Sequence, residues 1–94
     1  MKNLVEGRRV IDAIDEQILI LLIKRARIVE SIGEIKDHTR IADPTRENEI
    51  LRKVYSISPP DLQELLTVVY ANIIHHFREH ERKTVSSDVP ELGE

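Results

Sequence analysis

The feature that most constrains the fold is a proline-free segment from Leu4 to about Asp37, in which apolar residues recur at helical spacing. This periodicity predicts one long α-helix. The helix would contain roughly 34 residues and be about 50 Å long, whereas a compact domain of this chain length has a radius of gyration of about 12 Å. A single copy of the chain therefore cannot cover the helix along its whole length.

The middle of this segment, residues 18–23, is apolar on every side. A helix on a protein surface keeps a polar face, whereas a helix that is apolar all round is covered from several directions. We therefore expect an obligate oligomer, of which a twofold dimer is the simplest form. The predicted fold class is all-α, with three helices per chain (one long, one short and one of medium length) intertwined in a homodimer.

Two proline-containing turns separate the predicted helices. Asp43-Pro44 combines a capping carboxylate with a residue suited to the first helical position, which predicts a second helix from Pro44 to about Tyr55. The segment from Ser58 to Asp61 is interpreted as the end of that helix and the start of a third, with Ser58 as the capping residue. The third helix is expected to extend to about Lys83.

Residues 1–83 are thus predicted to form one helical domain. Residues 84–94 contain Ser, Pro and Gly without periodicity and are predicted to be a disordered tail. No internal repeat or low-complexity segment is present in the sequence.

The composition argues against several classes of function. Lys and Arg number 14 against 17 Asp and Glu, a formal net charge of -3, so no strong positive field draws the chain to nucleic acid or to an anionic membrane. The absence of cysteine excludes disulfides, zinc-thiolate sites and thiol nucleophiles. The N-terminal residues lack the apolar run of a signal peptide, and no apolar stretch is long enough to span a bilayer. A cytoplasmic location is expected.

Four charged residues fall on helix faces that are predicted to point inward. Arg25 lies on the apolar stripe of the first helix, and Lys36, eleven residues later, is rotated from it by only about 20°. Glu47 lies three and four residues before Ile50 and Leu51, on the inward side of the second helix. Glu81 continues the apolar stripe of the third helix. Buried charges are costly unless they are paired or retained to bind something.

Two interpretations of these charges are open. The four side chains could form an internal ion-pair network. Alternatively, with Arg8 counted, three inward cations face two inward carboxylates, and a surplus of positive charge suggests an anionic ligand.

The spacing of particular residues resembles a known family. The patterns are I-D-x-I-D over residues 11–15, Arg25, G-x-x-K over residues 33–36 and D-x-x-R-E over residues 43–47. Together they resemble the all-helical class of chorismate mutases over nearly the whole predicted domain. The resemblance implies an isomerase that rearranges chorismate to prephenate in phenylalanine and tyrosine biosynthesis, as an intertwined homodimer with two active sites and without a metal or cofactor.

The resemblance also implies roles for individual residues. Arg8 and Arg25 would grip the two substrate carboxylates, Lys36 would hold a carboxylate and the ether oxygen, and Glu47 would bind the ring hydroxyl. The remaining matching positions are two supporting residues near that hydroxyl and one carboxyl group facing the ether oxygen, namely Asp43, Arg46 and Glu81. Lys36, Glu81 and Arg25 would be the catalytic residues.

The position of Arg8 can be tested against helix geometry. Arg8 and Arg25 are seventeen residues apart on an unbroken helix, which separates them by about 25 Å. Both cannot hold one small metabolite in the same chain. Arg8 must therefore reach the active site of the partner chain, if it belongs to a site at all.

Two features depart from the family pattern. The connection between Lys36 and Asp43 is short, and Phe77 occupies a position where many members carry a small polar residue. The segment Ile73–Phe77 also resembles the isochorismate-pyruvate lyases, which share the fold and much of the cationic site. A lyase is therefore the main competing hypothesis.

Three further hypotheses belong to different classes of function. A non-catalytic helical dimerisation module would have the long apolar helix, but it would have no use for charged residues on inward faces. His76 and His80, four residues apart, could bind a metal ion on one helix face. The basic pair Arg8-Arg9 and the basic segment 24–27 could contact nucleic acid, although the acidic total argues against this.

Overall fold

The computed structural model describes residues 2–35 and 42–86, apart from the side chains of residues 85 and 86. These residues form three α-helices, α1 (Leu4–Ile35), α2 (Pro44–Ile57) and α3 (Gln63–Ser86), and one 3-10 turn, Pro60–Leu62. No β-strand occurs within these ranges. The predicted all-α class with one long, one short and one medium helix is confirmed, whereas the intertwined dimer stays a prediction.

Local capping explains where two of the helices begin. The Asn3 side-chain oxygen accepts a hydrogen bond from the Glu6 amide (2.8 Å) at the start of α1. The Asp43 carboxylate accepts one from the Arg46 amide (3.1 Å), and Pro44 occupies the first turn of α2. The predicted start of α2 at Pro44 is therefore confirmed. The sequence predicts it correctly because the capping carboxylate and the proline act on residues close to them in the chain.

The predicted role of Ser58 is wrong. The Ser58 hydroxyl donates to the carbonyl oxygen of Val54 (2.6 Å), and its backbone amide also points back into the last turn of α2. Ser58 therefore closes α2, which ends at Ile57 rather than at Tyr55. No side chain caps the 3-10 turn that precedes α3, where Pro59 is the flanking residue.

The C-terminal end of α3 differs from the prediction. α3 continues to Ser86 and so extends past the expected end at Lys83. Residues 87–94, which make up most of the predicted tail, lie outside the described residues.

α3 packs against both other helices. Its contacts with α1 advance in the same direction along both helices, from Arg25 over Phe77 to Glu30 with His80, so the two helices are parallel. α2 runs in the opposite direction, and the Gln63 side-chain amide donates to the Tyr55 carbonyl oxygen (3.0 Å) where α2 gives way to α3.

Most of the apolar surface of the single chain is uncovered. Ile74 is the only large apolar residue among the described ones that is buried. The radius of gyration is 17.3 Å, against about 12 Å for a compact chain of this length. Many large apolar side chains of α1 are exposed, among them Ile11, Ile14, Ile18, Leu19, Ile20, Leu21 and Ile23. No helix in the described parts of the chain is long and apolar enough to cross a bilayer.

Gly33 permits a close approach between α1 and α3. A Cβ atom built on Gly33 would lie 3.0 Å from the Thr84 Cβ, 3.2 Å from its methyl carbon and 3.3 Å from the Glu81 carbonyl oxygen. These distances are shorter than ordinary van der Waals contacts, and two of the three atoms belong to or adjoin the backbone. A side chain at this position would therefore push the two helices apart.

We predict that Gly33→Ala lowers the free energy of unfolding by about 1 kcal/mol, because an overpacking cost of about 1–3 kcal/mol exceeds the gain of about 1 kcal/mol in helix propensity. Urea unfolding followed by circular dichroism measures the change. Ser31→Ala, at an exposed position of the same helix, is the control and should be neutral or slightly stabilising. A Gly33→Ala variant as stable as the wild type would contradict the close contact.

Candidate active site

A cleft of about 280 Å³ lies where the three helices meet. Its apolar walls come from all three helices and consist of Ile28, Val29, Ile32, Ile50, Ile74 and Phe77. Its polar groups also come from all three helices or their caps and are Arg25, Asp43, Arg46, Glu47, Arg78 and Glu81. An apolar cleft with a few convergent polar groups is typical of a small-molecule site.

Five of the seven predicted site residues line this one cleft, and they are Arg25, Asp43, Arg46, Glu47 and Glu81. Arg8 does not line it and lies exposed near the other end of α1. Lys36 lies outside the described residues. The structure therefore brings together residues that are far apart in the sequence, such as Arg25 on α1 and Glu81 on α3.

Arg25 is held over aromatic rings. Its guanidinium carbon lies 4.6 Å from the centre of the Phe77 ring and 6.0 Å from the centre of the Tyr70 ring. Such contacts stabilise a cation without occupying its hydrogen-bond donors. Among the described residues, no carboxylate forms a salt bridge with Arg25, so its donors are available to a ligand. Phe77, the departure from the family pattern, supports this guanidinium.

Glu47 is paired with an arginine that sequence reasoning did not single out. The Arg78 Nη1 atom donates to both Glu47 carboxylate oxygens, at 2.7 and 2.9 Å, and joins α3 to α2. Both side chains are about three-quarters buried. The available signal was that Arg78 follows Ile74 by one helical turn and so continues the same inward stripe toward Glu81.

Glu81 is one of two buried polar residues in the described ranges, with 8% of its surface exposed. It lies on α3 beside the Gly33 contact, and its backbone carbonyl faces α1. The inward position that the sequence predicted for Glu81 is therefore confirmed.

Two members of the ion-pair network that the sequence allowed, Arg25 and Glu47, do not pair with each other. Glu47 pairs with Arg78, and Arg25 lies over aromatic rings instead of pairing with Glu47. Within the described residues the cleft is lined by three arginines and three carboxylates. Any surplus of positive charge at this cleft would therefore have to come from residues outside the described ranges, among them Lys36, or from another chain.

A contact between a histidine and a carboxylate joins α1 to α3 outside the cleft. The His80 Nε2 atom lies 2.7 Å from a Glu30 carboxylate oxygen, and Arg27 Nη1 lies 3.0 Å from the same oxygen. The hydrogen bond from His80 lowers the pKa of Glu30, and Arg27 lowers it further. His80 thus contacts a carboxylate of another helix. In the ranges that the structure describes, no three His, Asp or Glu side chains are placed to hold a metal ion.

The model of the type II chorismate mutase family matches residues 7–82. The chain belongs to this family. The match covers nearly all of α1, all of α2 and most of α3, and therefore includes every described residue that lines the cleft.

Several relatives of this chorismate mutase domain are known. The bifunctional chorismate mutase/prephenate dehydratase of Aquifex aeolicus is 41% identical in an alignment of 81 residues that covers 79% of this chain and 22% of that protein. The protein of the same description from Neisseria gonorrhoeae is 36% identical over 61 residues, 65% of this chain and 17% of that protein. The chain thus spans about a fifth of the length of these relatives.

A shorter alignment matches part of the chain to a protein of a different description. The organellar chromatophore adenylosuccinate synthetase of Paulinella chromatophora is 46% identical over 41 residues, which are 43% of this chain and 9% of that protein. This match is too short to bear on the cleft as a whole. No solved structure matches the chain at a comparable level of significance.

The lowered pKa of Glu30 gives a prediction for stability. Because the pKa of Glu30 is lower in the folded chain than in the unfolded one, its contribution is complete above the ordinary glutamate pKa of about 4.3 and is lost as the pH falls through the folded value. Glu30→Gln should therefore lower the melting temperature at pH 7, and the difference from the wild type should shrink toward pH 3.

Thermal unfolding followed by circular dichroism at a series of pH values measures this difference. Glu34→Gln, at an exposed position one turn further along α1, is the matched control and should show little effect at any pH. A deficit of Glu30→Gln that stays constant from pH 7 to pH 3 would show that the carboxylate charge does not matter.

Proposed function

We propose that this chain rearranges chorismate to prephenate, as an isomerase that needs no cofactor or metal. Membership of the type II chorismate mutase family and the descriptions of the Aquifex and Neisseria relatives support the proposal. The observation that carries it is the cleft itself, because five positions that match the family pattern line one small cavity between three helices.

The chemistry explains why such a cleft would be sufficient. The rearrangement breaks one C–O bond and forms one C–C bond within the same molecule, and no proton, electron or group passes to the protein. The protein has only to hold the flexible diacid in its reactive conformation and to stabilise negative charge that develops on the ether oxygen. Neither task needs a nucleophile or a proton relay.

The described side chains suit these tasks. Arg25, supported by Phe77 and Tyr70, keeps its donors for a substrate carboxylate. Glu47 is a hydrogen-bond acceptor and would accept from the ring hydroxyl. Asp43 and Arg46, at the start of α2, would support that contact, because the Asp43 carboxylate accepts from the Arg46 amide and fixes the local backbone.

Stabilisation of the ether oxygen would fall to Lys36 and Glu81. A million-fold acceleration requires about 8 kcal/mol, and one preorganised donor contributes about 3–4 kcal/mol. Two donors together with conformational restriction would be sufficient. An ionised carboxylate only accepts hydrogen bonds, so Glu81 would have to be protonated to donate to that oxygen.

The proposed active form is a homodimer in which each chain contributes Arg8 to the site of its partner. The accessible surface of the chain is 7594 Å², whereas a folded monomer of this size exposes about 5,600 Å². An excess of about 2,000 Å² is comparable to the area buried in obligate dimers. The exposed apolar residues of α1 supply a surface of the required character.

The experiment that tests the proposed activity follows chorismate consumption and prephenate formation with the purified chain. We predict that the wild type produces prephenate and that Arg25→Ala lowers kcat/KM by at least about 100-fold, the cost of removing one preorganised donor. The helical content of Arg25→Ala and its oligomeric state in solution should stay unchanged, because Arg25 forms no salt bridge with the described residues.

Lys24→Ala, an exposed neighbour on the same helix, is the matched control and should retain its activity. An Arg25→Ala chain that unfolds would favour a structural role for Arg25. A wild-type chain that consumes isochorismate and releases salicylate and pyruvate, but leaves chorismate unchanged, would favour the lyase hypothesis.

A subunit-mixing experiment tests the contribution of Arg8 across the dimer. Homodimers of Arg8→Ala and of Arg25→Ala should each be inactive. A heterodimer of the two variants has one site with both arginines and one site with neither, so a randomly exchanged mixture should recover about a quarter of the wild-type activity.

Activity should therefore increase when the two variants are unfolded and refolded together, and not when either is refolded alone. Refolding Arg8→Ala together with the wild type is the control, because half of the sites stay intact there whether or not heterodimers form, so the activity should not increase. If Arg8 and Arg25 acted in the same chain, every site of the heterodimer would lack one arginine, and no activity would be recovered.

A further inference from the structure

The pairing of Glu47 with Arg78 is a close contact in the cleft to which the proposed mechanism gives no role. A single Arg78 nitrogen, Nη1, donates to both carboxylate oxygens of Glu47, at 2.7 and 2.9 Å. The other terminal nitrogen, Nη2, lies 3.2 Å from His75 Nδ1. An arginine only donates hydrogen bonds, so His75 accepts, and the guanidinium is held between α2 and its own helix.

This pair differs from an ordinary surface salt bridge. Arg78 and Glu47 have side chains that are only 25% and 23% exposed, and both line the cleft. The exposed pair of Arg46 with Glu49, at 3.6 Å, shows the contrast. A carboxylate in the less exposed position needs a partner, because an uncompensated charge there would be poorly solvated.

The pair also leaves the carboxylate able to bind a ligand. A carboxylate has about four lone-pair positions, and the contacts from Nη1 involve only one side of each oxygen. Glu47 can still accept a hydrogen bond from a hydroxyl in the cleft. At the same time Arg78 offsets the negative charge, which would otherwise repel an anionic ligand that Arg25 holds on the opposite wall.

We propose that Arg78 is a positioning residue that acts through Glu47: it fixes the orientation of the Glu47 carboxylate and offsets its charge, so that the cleft accepts the hydroxyl of a negatively charged substrate. The inference rests on the proposed function, because it assigns a role toward the substrate of that site. Arg78 does not touch the reacting atoms, and its effect is on substrate binding more than on the rearrangement itself.

A double-mutant cycle with chorismate tests this role. Arg78→Met keeps an unbranched apolar side chain in place of the aliphatic part of the arginine and removes the guanidinium with its charge. We expect it to raise KM by about 10- to 100-fold while kcat changes by less than about threefold, because uniform binding is lost. Arg78→Lys should recover part of the loss. In the Glu47→Gln background, Arg78→Met should change KM by no more than about twofold, because the charge that Arg78 offsets is absent.

Arg82→Met is the matched control. Arg82 lies one turn further along α3 and pairs with Glu79, at 3.4 Å, outside the cleft. Its removal should leave KM and kcat unchanged. Melting temperatures of all variants separate a change in binding from a general loss of stability.

Several outcomes would overturn the inference. An Arg78→Met variant with the KM of the wild type would do so, as would a loss confined to kcat, or effects of the two substitutions that multiply in the double variant. If Arg78→Met alone does not fold, the comparison of Glu47→Gln with the double variant decides. Neither of these variants leaves an unpaired carboxylate at position 47. A KM that is much higher in the double variant than in Glu47→Gln contradicts the inference. These failures require a wild type that converts chorismate, whereas a wild type that does not convert it overturns the proposed function and this inference together.

Discussion

The length of α1 relative to the rest of the chain is the constraint on which the structure depends. α3 packs against the last third of α1, where Arg25, Glu30 and Gly33 make their contacts. The preceding part carries exposed isoleucines and leucines. Each such side chain contributes about 1.5–3 kcal/mol when it is fully buried, so the isolated chain forgoes much of the stabilisation that its sequence offers. In the proposed dimer, folding and association would therefore be one process.

The charges of the cleft are accommodated in two different ways. Glu47 is matched by Arg78 through hydrogen bonds between α2 and α3, and so its charge is offset within the chain. Arg25 lies over the rings of Phe77 and Tyr70, which favour a cation but accept none of its conventional hydrogen bonds. The carboxylate is thus held in place by a protein partner, while the cation is held in place and keeps its donors. This asymmetry suits the proposed anionic substrate, and it would not arise in a closed network of mutual ion pairs.

Sequence reasoning succeeds where the determining interaction is local. The capping of α2 by Asp43 depends on residues three apart and is predicted correctly. Ser58 is assigned to the wrong helix, because a hydroxyl next to a helix boundary can bond to either side and only the path of the chain decides. Arg78 is missed for a related reason: its partner Glu47 lies 31 positions away, and helical periodicity places a residue on a face without showing what lies opposite. The inward positions of Arg25 and Glu81 follow from periodicity alone, whereas their roles toward a substrate remain predictions.

The apolar segment between Arg8 and Arg25 would serve two purposes in the proposed dimer. Its exposed side chains form the surface that a partner would cover, and its unbroken helical backbone sets the separation of the two arginines at about 25 Å. These purposes are physically separable. Polar residues at positions 18–23 would weaken association but preserve the separation, while a proline there would kink the helix and move Arg8 relative to Arg25 even if the dimer persisted. The geometry of each proposed site therefore depends on a helix that extends well beyond it, and the same residues that make the single chain incomplete would place Arg8 in the site of its partner.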